Sequence, residues 1–497
     1  MDFDKLLSRM QELRDLSGLV GLACWDQETY LPPKAEPARA SQLATLQGLY
    51  HERLTDPALG ALLDEAGASG NLTADQKAMV RVLRWERDRA VKVPTALVRA
   101  LAEAQSQGVA TWREARKKND FTVFRPALER LLRIRREQGD ALGHGGERYD
   151  ALLEAYEPGM RVARLTPVLD ALKQKLVPMV RTLTERPPPR PVFAGKRFDP
   201  DRQWRFCLKL LGDMGFDLDA GRLDKSVHPF TGGSHARDVR LTLRLDEKNP
   251  LPAIFGAIHE GGHGLFEQGY SEEHFRTPIA AAPSMGLHES QSRLWENVVG
   301  RGRAFWGHYF PALQAELPEG LGDVSPDEFY AAVNRVERSL IRVEADEVTY
   351  NLHIVLRYEL ELALIRGDLP LDQLPGEWNR RMGALVGVTP KDDLTGVLQD
   401  IHWAFGELGY FPTYALGNLY SASLWNAAKR EVSGLEVGIG RGALLPLRDW
   451  LREKIHRQGF RTSAEERITA VTGHGLTDTD FVEYLKGKYS ALYGVAL

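Results

Sequence analysis

Cysteine is nearly absent: Cys24 and Cys207 are the only two in 497 residues. Two thiols cannot build a disulfide framework or a cysteine-rich metal knuckle within one chain, which favours a reducing, cytoplasmic setting. Each stands beside a tryptophan or a leucine, in "ACWDQ" and "WRFCLKL", and both are expected to be buried as small hydrophobes. A dominant charge is lacking too. The formal net charge is −4, so no global basic field supports a phosphate-tracking nucleic-acid partner. No apolar run reaches the roughly 18 residues of a membrane span. The opening "MDFDKLLSRMQELRDLSG" alternates charges with leucines and has the pattern of neither a secretion signal nor a transit peptide. No repeat of fixed period or low-complexity tail is visible. What remains, 43% hydrophobic and 27% charged, is the composition of an ordinary globular protein with a large core.

Most segments carry apolar residues at three and four residue spacing, which predicts a mostly α-helical body. Helix starts can be read directly. Ser325 in "SPDEFYAAV", Ser463 in "SAEERI" and Thr73 in "TADQKAM" each precede a Glu or Gln three residues on, the reciprocal capping pattern. One good strand pattern occurs, "RDVRLTLRL" from Arg237 to Leu245, where Val239, Leu241, Leu243 and Leu245 alternate with polar residues. A small β-sheet near 220–247 is expected. The tract "RPPPRP" (Arg186 to Pro191) cannot be helical. It reads as a rigid connection between an N-terminal helical part, 1–185, and a catalytic part, 186–497, of one integrated domain. The alternative is a docking site for a proline-binding module.

The stretch "FGAIHEGGHGLF" holds the chemistry. His259 and His263 are one helical turn apart, so their rings stack about 6 Å apart on one face and can reach a single ion. Glu260 lies beside that face, placed to accept a proton from a water activated there. The bland alternative is a helix with two exposed or core histidines. Gly261 and Gly262 each cost about 1 kcal/mol in a helix interior, so something must approach closely: another helix, or an extended substrate backbone, which is the reading preferred from sequence. A catalytic zinc needs a third protein ligand and an open position. Glu267 would spread the donors over about 12 Å, too far for one ion. Glu289, in the helical segment "MGLHESQSRLWENVVG", is the candidate, against the alternative of an i, i+4 ion pair with Arg293.

These motifs resemble the carboxypeptidase Taq family of metallocarboxypeptidases along nearly the whole chain. The resemblance is carried, in order, by "HPF" (His228–Phe230), "DVRLT" (Asp238–Thr242), "HEGGH" (His259–His263), "HES" (His288–Ser290), "IRVEAD" (Ile341–Asp346) and "GVLQDIHW" (Gly396–Trp403). "WDQETYLPP" from Trp25 looks like the family's N-terminal region. The resemblance implies that His259, His263 and Glu289 bind the metal and that Glu260 is the general base. It also implies a helical fold, single-lobed or two-lobed, with a deep active-site groove, and release of single residues from peptide C-termini with broad preference by a cytoplasmic homodimer.

That reading assigns further roles. "GYFPTYALGNLYSAS" offers Tyr410, Tyr414 and Tyr420 and looks like the tyrosine-bearing segment of related helical oligopeptidases. Tyr410 and Tyr414 are preferred as donors to the oxyanion, with His402 another candidate; for each tyrosine the alternative is a core residue. A free terminal carboxylate calls for a guanidinium, Arg342 first and Arg240 second; the bland reading of Arg342 is an i, i+4 pair with Asp346. Asp346 or Asp400 could instead orient a metal-bound imidazole. Two imidazoles and a carboxylate suit one Zn2+ per chain, with Co2+ or Mn2+ able to use the same donors. The rival functions are a metallo-endopeptidase cutting short oligopeptides and a non-catalytic scaffold around a structural metal.

Overall fold

The expected caps form. Thr73, Ser325 and Ser463 each accept a bond from the backbone N–H three residues on, and the side chains of Gln76, Glu328 and Glu466 reach back to them. The computed structural model describes residues 3–497, and helices joined by short turns make up most of it. Its main core is continuous from Ala115 to Tyr489 and includes residues on both sides of the proline tract. A smaller core formed by Leu6, Met10, Leu63, Leu83 and their neighbours belongs to the helices of residues 3–92 and closes against Ile279 and Phe460. No described helix is long and apolar enough to cross a membrane.

The sheet has three strands: β1 (Gly221–Lys225), β2 (Thr231–His235) and β3 (Asp238–Leu243), in the order β1-β3-β2. β1 runs parallel to β3, and β2 antiparallel. β3 is the strand read from alternation, with Val239, Leu241 and Leu243 buried, but it stops before Leu245, which is only partly buried. The first helix, Phe3–Thr29, lies across β2 at close range: a Cβ on Gly21 would stand 2.5 Å from the Gly233 carbonyl oxygen.

One expectation and one alternative fail here. Cys207 is buried, but Cys24 is exposed. On the first helix it is Trp25 that turns inward, and a neighbour lies about 100° further round the axis. "IRVEAD" is a short 3₁₀ turn over Arg342–Glu344 rather than a longer helix. Asp346 there accepts from the backbone N–H groups of Val348 and Thr349 and does not pair with Arg342, whose carboxylate partner is Asp400.

Candidate metal centre and active site

His259, Glu260 and His263 sit on the helix Leu251–Glu267, and Glu289 on the neighbouring helix Met285–Arg293. Glu289 Oε2 stands 3.7 Å from His259 Nε2 and 3.3 Å from His263 Nε2. Donors about 2.0–2.2 Å from one tetrahedral ion lie roughly 3.3–3.6 Å apart, so this donor set fits a single dication held from three sides. All three ligand atoms lie within 4.8 Å of one another.

The glycines explain how the helices come so close. A Cβ on Gly262 would lie 2.7 Å from Ser292 Cα and 2.8 Å from the Gln291 carbonyl oxygen, so the two helices touch backbone to backbone. Gly261 faces Leu211 and Met214. A packed helix and core side chains, not a substrate backbone, therefore account for the pair, which corrects the sequence reading. On the other flank Gly417, in the helix Pro412–Glu431, makes room for Glu289, whose Cβ a methyl there would meet at 2.8 Å.

The surroundings fix the state of each donor. His259 Nδ1 is 2.8 Å from Glu296 Oε2. Burial works against ionisation of Glu296, but His259, Arg293 and Arg301 hold its pKa down to about 2. An ionised carboxylate only accepts, so Nδ1 carries a proton and Nε2 is the nitrogen left to bind a metal once its own proton is displaced. For His259 burial lowers the pKa, and Glu289 and Glu296 outweigh it, raising it to about 8. Burial and the neighbouring His288 push His263 down to about 3; His288 stacks on that ring at 4.4 Å and is bonded to Glu267 at 2.9 Å. Glu289 keeps its charge despite burial, since Arg293 and the two histidines lower its pKa. Arg293 Nε donates to Oε1 at 2.6 Å, leaving Oε2 for the histidine side. The ion pair with Arg293 and the ligand geometry thus coexist.

Glu260 is 6% exposed. Thr231 donates to its Oε2 at 2.6 Å, and burial raises its pKa. Thr231, Gly232, Glu267 and His288 line a cavity of about 370 Å³ between the first helix and β2.

His402, Tyr410 and Tyr414 gather beside Glu289. His402 Nε2 is 3.1 Å from the Tyr414 hydroxyl, the two tyrosine rings are 5.3 Å apart, and Glu289 helps burial raise both tyrosine pKa values. Tyr420 is buried elsewhere, and the carboxylates that raise its pKa along with burial are Glu157 and Glu465. Arg342 is buried and bonded to Asp400 at 2.8 Å. Its Nη1 donates at 3.0 Å to the Tyr350 hydroxyl, which also accepts from Arg293 at 3.1 Å. A single phenol therefore joins Arg342 to the partner of Glu289. Arg240 stacks over Trp25 at 4.2 Å and bonds to Asp238. Asp400 serves Arg342 and Arg357, so the carboxylate bonded to the second nitrogen of His259 is Glu296 rather than Asp346 or Asp400.

Glu296, Thr231 and Tyr350 went unnoticed in the sequence. Glu296 follows Glu289 by seven residues, two turns on, and a π-helical turn over Leu294–Val299 carries it; such turns recur at functional sites. Thr231 directly follows "HPF". A second cluster, Asp75, Glu273 and His274, already holds a cation, since Arg461 bonds to Asp75 at 2.6 Å and to His274 at 2.6 Å.

A helical fold that aims such donors at one point beside a buried carboxylate is that of a metallohydrolase. Comparison with known proteins narrows the class. The carboxypeptidase Taq (M32) metallopeptidase family matches residues 5–489, and the chain belongs to it. Thermostable carboxypeptidase 1 of Thermus thermophilus is 44% identical over 99% of both chains. Carboxypeptidase 1 of Bacillus subtilis is 37% identical over 99% of this chain and 98% of its own. Among solved structures, the M32 carboxypeptidase from Deinococcus radiodurans is 39% identical and superposes with a TM-score of 0.97 over 99% of both chains. Membership makes the protein a metallopeptidase of the carboxypeptidase type, which implies peptide substrates and a divalent metal.

Proposed function

We propose that the protein removes single amino acids from the free C-termini of peptides, with broad side-chain preference, using one Zn2+ held by His259, His263 and Glu289. The observation that carries this reading is the convergence of two imidazoles and one carboxylate oxygen beside the buried carboxylate of Glu260. A zinc ion supplies a Lewis acid for the scissile carbonyl and brings water within reach of deprotonation near neutral pH; Co2+ or Mn2+ would use the same donors. Glu260 takes the proton from the attacking water and delivers it to the leaving amine, oriented by the Thr231 hydroxyl. Tyr410, Tyr414 and His402 donate to the carbonyl oxygen as it gains charge. Arg342 anchors the terminal carboxylate with the N–H groups that Asp400 and Tyr350 leave free, and Arg240 is the second candidate. The protein works as a cytoplasmic homodimer.

The test uses one peptide in two forms, with a free and with an amidated C-terminus, on protein stripped by chelator and reloaded with single metals. Stepwise loss of C-terminal residues from the free form alone, restored by Zn2+, is the expected result. Internal fragments, or equal cleavage of the amidated form, would instead indicate an endopeptidase.

A further inference from the structure

Glu361 has no part in the scheme above. It lies in the helix Tyr350–Arg366 and is fully buried. Oε2 accepts from the Tyr149 hydroxyl at 2.7 Å and from the Gly409 N–H at 3.0 Å. Oε1 accepts from the Trp403 indole N–H at 2.8 Å. Trp403 follows His402, and Gly409 precedes Tyr410, so one carboxylate grips the chain next to two of the three side chains assigned to the carbonyl oxygen. Between them the backbone turns tightly through Gly406 (φ 65°) and Gly409 (φ 92°). A Cβ on Gly409 would lie 2.9 Å from the Leu153 nitrogen, so this end of the loop is pressed against the helix Arg148–Leu153. The indole is wedged edge-on against Trp378 at 5.8 Å. No salt bridge reaches Glu361 among the described residues, and burial pushes its pKa up to about 7 against the pull of the three donors. A buried carboxylate kept without a counter-cation is costly, and core packing alone does not ask for one.

We propose that Glu361 is a positioning residue: by holding the Trp403 indole and the Gly409 amide it sets where the His402 imidazole and the Tyr410 hydroxyl stand against the metal centre. This rests on the reading that those two side chains act on the substrate. Glu361→Gln keeps the shape, but with its oxygen on Tyr149 and Gly409 its NH2 faces the indole N–H, donor against donor.

Displacing aligned groups by about 1 Å can cost on the order of a hundredfold in rate. Glu361→Gln is therefore expected to lower kcat roughly 10–100-fold, with KM within about twofold and metal content unchanged. Trp403→Phe removes the opposing donor, so adding it to Glu361→Gln should not lower kcat below that of Trp403→Phe alone. An unchanged kcat per metal-loaded chain in Glu361→Gln overturns the proposal, as does a fall that disappears once activity is normalised to folded, metal-loaded protein. If Glu361→Gln does not fold, Trp403→Phe alone reads the same split: lower kcat with constant KM supports the proposal, and unchanged kcat overturns it. Tyr410→Phe and His402→Gln separate the two levels. If both keep full kcat, the assignment of those side chains falls and the proposal with it. If either loses kcat while Glu361→Gln does not, only the positioning role falls.

Discussion

Gly262→Ala puts one methyl between the two helices that present the metal donors. The new Cβ would meet Ser292 Cα at 2.7 Å, the Gln291 carbonyl oxygen at 2.8 Å and its carbon at 3.0 Å. All three are backbone atoms, so no side chain can rotate away. Restoring an ordinary 3.4 Å contact from 2.7 Å requires the helices to part by about 0.7 Å. Metal donors tolerate displacements of only about 0.2 Å, and disturbances of comparable severity around a site cost about 10–100-fold in metal affinity. The effect on stability is smaller: overpacking costs about 1–3 kcal/mol, and replacing a helical glycine by alanine returns about 1 kcal/mol. Gly256→Ala is the control on the same helix, because its methyl meets only Leu243 and Pro229 side-chain atoms at 3.9 Å. It should stabilise by about 0.5–1 kcal/mol and leave the metal alone. Gly261→Ala presses on the Leu211 side chain at 2.7 Å, which can shift, and should fall between the two. Calorimetric titration of Zn2+ into chelator-stripped protein, paired with scanning calorimetry, measures both quantities. A Gly262→Ala protein that binds zinc within twofold of the unsubstituted chain would refute the reasoning.

Glu260→Gln should retain metal and lose about 10²–10⁴-fold in kcat; full hydrolysis by this variant would remove Glu260 from the proton transfer. Glu296→Ala removes the acceptor of the His259 Nδ1 proton and should weaken zinc binding about 10–100-fold in a chelator competition. Arg342→Lys replaces a planar fork by a point charge and should lower kcat/KM for unblocked peptides roughly 10–100-fold; an unchanged value would remove Arg342 from carboxylate recognition. Glu157 is buried, and burial raises its pKa to about 8 from 4.5. Between those values the folded chain keeps a proton that the unfolded chain has released, so stability falls as pH rises through the window. Glu157→Gln should flatten the decline, which amounts to about a few kcal/mol of stability at the alkaline end and is followed as Tm across roughly pH 5 to 9; an identical pH profile would contradict the shift.

The pairing of His259 and His263 was legible because spacing is a property of the chain itself: two rings four residues apart share a face wherever that helix is placed. The caps at Thr73, Ser325 and Ser463 were legible for the same reason, as was β3, whose inner face is buried. Partners supplied by tertiary structure were not. β2 reads Thr-Gly-Gly-Ser-His, poor strand material on propensity, and is a strand because β3 pairs with it. Glu296 comes into reach only through a π-helical turn. The glycines were rightly seen to mark a close approach, but the identity of the approaching atoms lay thirty residues away, in Gln291 and Ser292. The alternative partner offered for Arg342 was Asp346, four residues on; the carboxylate it meets, Asp400, lies 58 positions downstream.

The pairing of Arg293 with Glu289, and of Arg301 with Glu296, sets the electrical balance of the centre. Three carboxylates, Glu260, Glu289 and Glu296, face two guanidiniums, so once both imidazoles are neutral, as ligands to a metal must be, these side chains sum to one negative unit. Adding a dication reverses the sign and leaves one positive unit enclosed in a low-dielectric interior, where it is felt strongly. A single incoming negative charge brings the assembly to neutrality. With a dication bound, an enclosure balanced in this way favours one anionic oxygen over two.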